Sequence, residues 1–304
     1  MAIWAGPRDD YNIPQGVKIA WAMPTYGPLY PSVYQNHLAV WAYTSRYLTI
    51  KCLGKTPVIG TTDRMYLHTA SNKLVRGFLE SDCDYLMWTE SDMHMPFYAV
   101  IALLHHQKDI CAGVYFLRKG GGQPCLYMKG PRMVQNGILA MIPVAVFPEN
   151  SFFQVHNPGL GCALIHRSVF EAIEEPWFDL REQWDPATKA ILGYGQDTFF
   201  YSKVADAGKE VWVDTAIHCG QVMDGTVDID NYRRLIANPD YKPKGFLIGQ
   251  SQTAEGLNFI APVPDELALI DYYPGSYECG DDTSPIISLD PVTSFNTVPV
   301  AEAT

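Results

Sequence analysis

The chain has no run of about 18 or more uncharged apolar residues, the length that a membrane-spanning helix needs. Its N-terminus also lacks a basic start followed by a long apolar segment. Seven cysteines are an odd number and include no C-x-x-C pair, which argues against a disulfide framework and a zinc ribbon. These absences predict a protein of the reducing cytoplasm with neither a secretory signal nor a membrane span.

Basic residues are few: 22 lysines and arginines stand against 33 acidic residues, for a net charge of −11. This balance excludes a broad basic face for neutralising phosphates and leaves room only for a local basic patch. Apolar residues make up 47% of the sequence, so a substantial core is expected. The length of 304 residues fits one main domain with an appendage.

Short apolar runs alternate with segments of helical periodicity in the first 120 residues. This alternation predicts an α/β fold with a mainly parallel sheet covered by helices on both faces. A hairpin is expected between residues 118 and 148, a strand from Asn157 and a helix from Arg167 to Ile173. Residues 1–250 would form the main domain, and residues 251–304, rich in Pro, Asp, Ser and Thr, an irregular or partner-docking extension. The first four strands are expected at 18–24, 55–61, 84–90 and 109–116, and the helices between them at 32–49, 70–79 and 96–107.

An acidic cluster, Glu90-Ser91-Asp92, ends the third of these strands. Carboxylates at the carboxyl end of a strand project into the region where ligands of open α/β sheets bind. Two oxygen ligands are enough for Mg²⁺ or Mn²⁺ when a substrate's phosphates complete the coordination. The alternative is a solvated acidic turn that caps the next helix.

Two later segments carry a family resemblance. They are Asn157-Pro-Gly-Leu-Gly-Cys-Ala-Leu-Ile and the stretch that runs from Gly195-Gln-Asp197 to His218-Cys-Gly. Together with the acidic cluster they resemble the GT-A (Rossmann-like) glycosyltransferases, in particular the small family-2-like enzymes of bacteriophages. The resemblance covers about residues 18–222. It departs from the family at Glu90, where Asp is usual, and at Gln196, where Glu is common.

The resemblance implies a metal-dependent transferase. Glu90, Asp92 and His218 would bind Mn²⁺ or Mg²⁺, and Asp197 would act as the catalytic base of an inverting reaction. From the residues alone, Asp197 is equally well explained as a first-turn or capping residue of the helix that follows. A histidine such as His218 after a strand is more often a packed or surface residue.

Residues near the carboxyl ends of the first two strands are candidates for the nucleotide. Tyr26 is available for stacking on a base, and Arg64 and Lys73 for pairing with phosphates, although such cations are more often solvated surface charges. Asn72 and Lys73 are expected to open a helix. The full set of candidate nucleotide-binding residues is Pro24, Thr25, Tyr26, Asp63, Arg64, Asn72, Lys73 and Ser91.

The leading hypothesis is transfer of a sugar from a UDP- or GDP-sugar to a hydroxyl of a glycan, a protein or a modified DNA base, in the host cytoplasm if the gene is phage-encoded. A second hypothesis is a nucleotide-sugar binding protein without turnover. A third hypothesis makes modified bases of phage DNA the acceptor, and a local basic strip would then offset the unfavourable net charge. This strip would consist of Arg118, Lys119, Lys129 and Arg132. The sequence leaves the sugar and the oligomeric state open.

Overall fold

The computed structural model describes residues 11–26, 29–51, 60–62, 65–118, 122–132, 139–185, 189–222, 226–241, 246–247, 251–253 and 256–258. The helices are α1 Pro31–Thr44, α2 Leu67–Leu79, α3 Ala99–His105, α4 Arg167–Ala172, α5 Gln196–Asp206 and α6 Ile229–Ala237. The strands up to residue 132 are β1 Lys18–Pro24, β2 Thr49–Lys51, β3 Gly60–Thr62, β4 Tyr85–Thr89, β5 Met93–His94, β6 Ile110–Val114 and β7 Tyr127–Arg132. The later strands are β8 Leu139–Val146, β9 Phe152–Gln154, β10 Cys162–His166, β11 Arg181–Asp185, β12 Ala190–Tyr194, β13 Val211–His218, β14 Gly220–Val222, β15 Thr226–Val227, β16 Phe246–Leu247, β17 Ser251–Thr253 and β18 Gly256–Asn258.

An eight-stranded sheet forms the centre of the fold. Its order is β2-β1-β4-β10-β6-β13-β9, and β3 also pairs with β1. Strands β1, β2, β3, β4, β6 and β13 run parallel to one another, whereas β10 and β9 run antiparallel to their neighbours. The carboxyl ends of the parallel strands therefore meet at one edge of the sheet, where β10 begins.

Two hydrophobic clusters cover the two faces of this sheet, because successive side chains of a strand point to opposite sides. On β1, Ala20 belongs to the cluster that contains residues of α2, α4 and α5. Its neighbours Ile19 and Trp21 belong to the cluster that contains residues of α1 and α3. The buried strands thus read as continuous apolar runs, as expected of a sheet covered on both sides.

The predicted α/β fold class, a mainly parallel sheet with helices on both faces, is confirmed. β1 has the predicted bounds, and β7 pairs with β8 in the predicted hairpin. The strand predicted from Asn157 begins only at residue 162 and runs antiparallel, inserted between β4 and β6. The strands at 49–51 and 60–62 take the place of the single strand predicted at 55–61, of which residues 55–59 lie outside the described part.

Helix α2 begins three residues before the predicted start, so Asn72 and Lys73 lie in its middle and do not open it. Helix α6 was not predicted. No helix in the described ranges combines the length and the apolar character needed to cross a membrane. Most of the predicted extension, residues 259–304, lies outside the described residues, and the domain boundary at 250 stays a prediction.

Candidate functional site

The acidic cluster lies at the carboxyl edge of the sheet, directly after β4. Ser91 and Asp92 form a turn, and β5 follows at once and pairs with β14. The backbone N–H of Val222 donates to the carbonyl of Asp92 at 2.7 Å. The segment after β13 therefore fixes the backbone of Asp92 at the central part of the sheet edge, where ligands of open α/β sheets bind.

The two oxygens of the Asp92 carboxylate have different surroundings. Oδ2 accepts a hydrogen bond from Nε2 of Gln221 at 3.1 Å and lies 3.0 Å from Nη2 of Arg118. Oδ1 is buried and has no hydrogen-bond partner in the part of the chain that the structure describes. A buried carboxylate oxygen without a partner is costly, and an unseen ion is one of its ordinary explanations.

Asp197 is the second residue of α5, and Gly195 is the N-cap of this helix. Its Oδ1 accepts a hydrogen bond from the backbone N–H of Thr198 at 2.8 Å. Asp197 is therefore a first-turn residue, as the sequence-based alternative predicted. The backbone donor engages one oxygen of the carboxylate, which leaves the catalytic role open.

Three contacts hold the first two turns of α5 in place. The hydroxyl of Ser71 donates to Oε1 of the buried Gln196 at 2.9 Å, and Nδ2 of Asn157 donates to Oγ1 of Thr198 at 3.3 Å. The hydroxyl of Tyr201 donates to the carbonyl of Gly159 at 2.8 Å. Gln196 thus anchors the helix start, and residues 157–159 contact Thr198 and Tyr201 of the same helix.

The electrostatics place Glu90, Asp92 and Asp197 in one neighbourhood. Burial raises the pKa of Glu90 to about 8, with further contributions from the charges of Asp92 and Asp197 and an opposing one from Arg118. Burial also raises the pKa of Asp197, against the stabilising hydrogen bond from Thr198. Three acidic side chains share this partly buried region, and a cation bound there would favour their ionised forms.

The end of β1 is the neighbouring part of the same edge. Pro24 is buried, whereas Tyr26 has 74% of its surface exposed. The hydroxyl of Thr25 donates to the carbonyl of Met23 at 3.0 Å. Because β1 and β4 are adjacent and parallel, Tyr26 and Ser91 follow neighbouring strand ends, and their nucleotide-binding roles stay predictions.

The side chain of Asn72 is fully engaged in hydrogen bonds with backbone groups. Its Nδ2 donates to the carbonyls of His68 and Phe178, and its Oδ1 accepts from the backbone N–H groups of Trp177 and Phe178. An amide side chain has two donors and two acceptor positions, so these bonds use its whole capacity. Asn72 is therefore a structural residue that holds the 177–178 segment against α2.

Three charged residues were also candidates for binding the nucleotide. Lys73 is exposed on α2. Asp63 and Arg64 lie outside the described residues. Of the basic strip considered for DNA, Lys129 is exposed and Arg118 is turned to Asp92, while Lys119 lies outside the described part.

His218 ends β13 as predicted, but its surroundings differ from those expected of a shared metal ligand. Burial lowers the pKa of His218, and the charges that act on it include those of Glu149 and Arg233. Nε2 of His218 is buried without a hydrogen-bond partner among the described residues. In the described ranges, no three His, Cys, Asp or Glu side chains are grouped closely enough to hold a metal ion.

The polar partners of Asp92 and Gln196 were not predicted. Gln221 and Ser71 carry no sequence signal for these contacts, because each partner is more than 100 positions away in the chain. Arg118 was noted only as part of a basic strip. Its place directly after the apolar run of β6, at the same strand edge as Asp92, is the signal that would have paired it with the acids.

Comparisons with known proteins give distant likenesses. No protein-family model matches the chain, and no curated protein matches it in sequence. The solved structure of A197 from STIV shares 17% identity and a TM-score of 0.47, over 71% of this chain and 92% of that one. GalNAc-T7, solved with UDP, GalNAc and Mn²⁺, shares 11% identity and a TM-score of 0.46, over 76% of this chain and 49% of that one. The chain thus spans about half of the GalNAc-T7 chain, and likenesses this distant assign neither a substrate nor an activity.

Proposed function

We propose that the protein is a glycosyltransferase that moves a sugar from a nucleoside diphosphate sugar to an acceptor hydroxyl. One observation carries this proposal: at the carboxyl end of β4 the charges of Asp92 and Asp197 both act on Glu90, whose pKa burial raises to about 8. Two of these acids follow β4, and the third opens α5, so the site joins a cation-binding turn to an acid on a separate, anchored helix.

Asp92 and Glu90 are the proposed ligands of a divalent cation. The buried, unpartnered Oδ1 of Asp92 fits a cation, and so does the crowding of negative charge. Two protein ligands suit Mg²⁺ or Mn²⁺, whose remaining positions are filled by phosphates and water. Such an ion would stabilise the charge of the departing nucleoside diphosphate. His218 lies beside Glu149 and Arg233 and is left out of the proposed set.

Asp197 is the proposed general base. The acceptor hydroxyl gives its proton to Asp197 while its oxygen forms a bond to the anomeric carbon. The bond from that carbon to the diphosphate breaks, its electrons leave with the nucleoside diphosphate, and the configuration inverts. The raised pKa of Asp197 supports this role, because a base is most effective when its pKa approaches the working pH.

The test is release of UDP or GDP from a panel of nucleotide sugars with Mn²⁺, with Mg²⁺ and with EDTA. Asp197→Asn is expected to lower turnover by about a hundredfold or more, since loss of a general base typically costs this much. Asp206→Asn is the matched control, because it makes the same change at the exposed far end of the same helix. NMR of the product's anomeric carbon is expected to show inversion.

Other outcomes separate the alternatives. Tight binding of nucleotide sugars without hydrolysis or transfer to any acceptor would favour a binding protein without turnover. Full activity of Asp92→Ala would refute the cation site. A duplex affinity that rises steeply as salt is lowered would bring back modified DNA as the acceptor.

A further inference from the structure

Arg118 reaches the acidic site from a hairpin whose described residues are 116–118 and 122–124. After β6, Phe116 pairs with Pro124, and the backbone N–H of Leu117 donates to the carbonyl of Gln123 at 2.7 Å. Arg118 is the next residue after this closing bond. The hairpin therefore carries the guanidinium from the end of β6 to Asp92.

The base of the hairpin is packed firmly. The Phe116 ring stacks with Tyr232 of α6 at 5.6 Å between centroids. Gly122 has φ +96, and a Cβ at this position would lie 2.9 Å from Cβ of Asn231. Only glycine fits there without strain. Packing against helix α6 thus fixes the hairpin, and with it the backbone position of Arg118.

Arg118 partly neutralises the negative charge of the acids, in the region where the diphosphate of the proposed substrate would bind. Its Nη2 lies 3.0 Å from Oδ2 of Asp92, and its side chain is 41% exposed, so a ligand can reach it. A nucleoside diphosphate adds negative charge beside Glu90, Asp92 and Asp197, which requires positive charge in return. Guanidinium groups bind phosphate through two parallel hydrogen bonds, with good geometry and strength.

We propose that Arg118 is the phosphate-binding cation of this site and that it holds Asp92 until a nucleoside diphosphate takes its place. The proposal rests on the proposed function. When the guanidinium turns to the phosphates, Oδ2 of Asp92 is released for a divalent cation. Arg118 therefore couples the two ligands: the cation binds weakly to the nucleotide-free protein and more tightly once the nucleotide is bound.

Arg118→Gln tests this coupling, because the two binding constants should move in opposite directions. Without nucleotide, Mn²⁺ measured by EPR should bind about fivefold more tightly, since one competing ion pair is gone. In EDTA, UDP or GDP measured by calorimetry should bind about tenfold more weakly, since charged hydrogen bonds to phosphate are lost. A variant that merely damages the structure would weaken both.

Arg76→Gln is the matched control, because it removes the same charge from an exposed ion pair with Glu175 in the last turn of α2. Both constants should stay at the wild-type values. Arg118→Lys keeps the charge but cannot form two parallel hydrogen bonds to a phosphate. It should therefore bind Mn²⁺ as the wild type does and the nucleotide more weakly. It also serves as the test if circular dichroism shows that the glutamine variant does not fold.

Two results would overturn the inference alone: equal nucleotide binding by Arg118→Gln and wild type, or weakening of both ligands. A wild-type protein that binds neither UDP nor GDP would overturn the proposed function together with it. Nucleotide binding that depends on Arg118 in a protein without any transferase activity would support the inference and reject the turnover.

Discussion

The stability of the fold should fall in mild acid because of one buried histidine next to the site. His37 of α1 is 1% exposed, and its Nε2 lies 2.9 Å from the carbonyl of Met93, directly after Asp92. The carbonyl accepts, so Nε2 carries the hydrogen, and Nδ1 is buried with no partner within the described ranges. Burial lowers the pKa of His37 from 6.5 to about 4, although the hydrogen bond to Met93 acts in the opposite direction.

The sign and size follow from proton linkage. Above pH 6.5 the side chain is neutral in both states, and between pH 6.5 and 4 the unfolded chain binds a proton that the folded protein excludes. The free energy of unfolding therefore falls as the pH falls through this window. From pH 7 to pH 5 this single group costs about 2 kcal/mol, and the cost reaches about 3 kcal/mol below pH 4.

Urea unfolding followed by tryptophan fluorescence at pH 7, 6 and 5 measures the effect. His37→Gln removes the titrating group, so its loss of stability from pH 7 to 5 should be about 2 kcal/mol smaller than that of the wild type. His68→Gln, at a partly exposed position on α2, should keep the wild-type pH dependence. If His37→Gln and wild type lose stability in parallel, the buried neutral imidazole is not responsible and the reasoning fails.

Two further substitutions test the packing that positions the site. Gly113→Ala should destabilise the protein by about 1–3 kcal/mol in urea unfolding, as overpacking does, because the new Cβ would lie 2.8 Å from Cγ2 and 3.0 Å from the carbonyl oxygen of Ile217; an unchanged midpoint would mean that β13 shifts freely. Asn72→Ala should cost about 2 kcal/mol or more, because it leaves the buried backbone N–H groups of residues 177 and 178 without an acceptor. Lys73→Ala, its exposed neighbour, should be close to neutral, and equal effects of the two would contradict the structural role of Asn72.

The sheet could be predicted where its strands are buried on both faces. β1 and β4 are short apolar runs with clear ends. Because the end of β4 is clear, the position of the acids that follow it at the sheet edge could also be predicted. The direction of β10 could not be predicted, because its apolar sequence is equally compatible with parallel and antiparallel pairing. Helix α6 was missed because it buries only Tyr232 along its length, although Asp228 and Asn231 form a capping box at its start.

The start of α2 was misplaced for a related reason. Tyr66 precedes the helix and makes no side-chain cap, so the sequence gives no sign that the helix begins at Leu67. The error placed Asn72 at a helix terminus and hence among the candidate nucleotide-binding residues. Its real partners are backbone groups 105 and 106 positions away, and only the assembled fold brings them to α2.

Asp197 shows how the fold reconciles two roles that compete in the sequence. A carboxylate that accepts backbone hydrogen bonds becomes a weaker base, and the backbone N–H of Thr198 does donate to Oδ1. Burial acts in the opposite direction and is the larger cause, so the pKa of Asp197 is raised overall. The hydrogen bond fixes one oxygen and thereby the orientation of the group, while burial restores its basicity. A first-turn position on α5 is therefore compatible with proton transfer, and the competition between capping and catalysis is decided by the surroundings of the helix start.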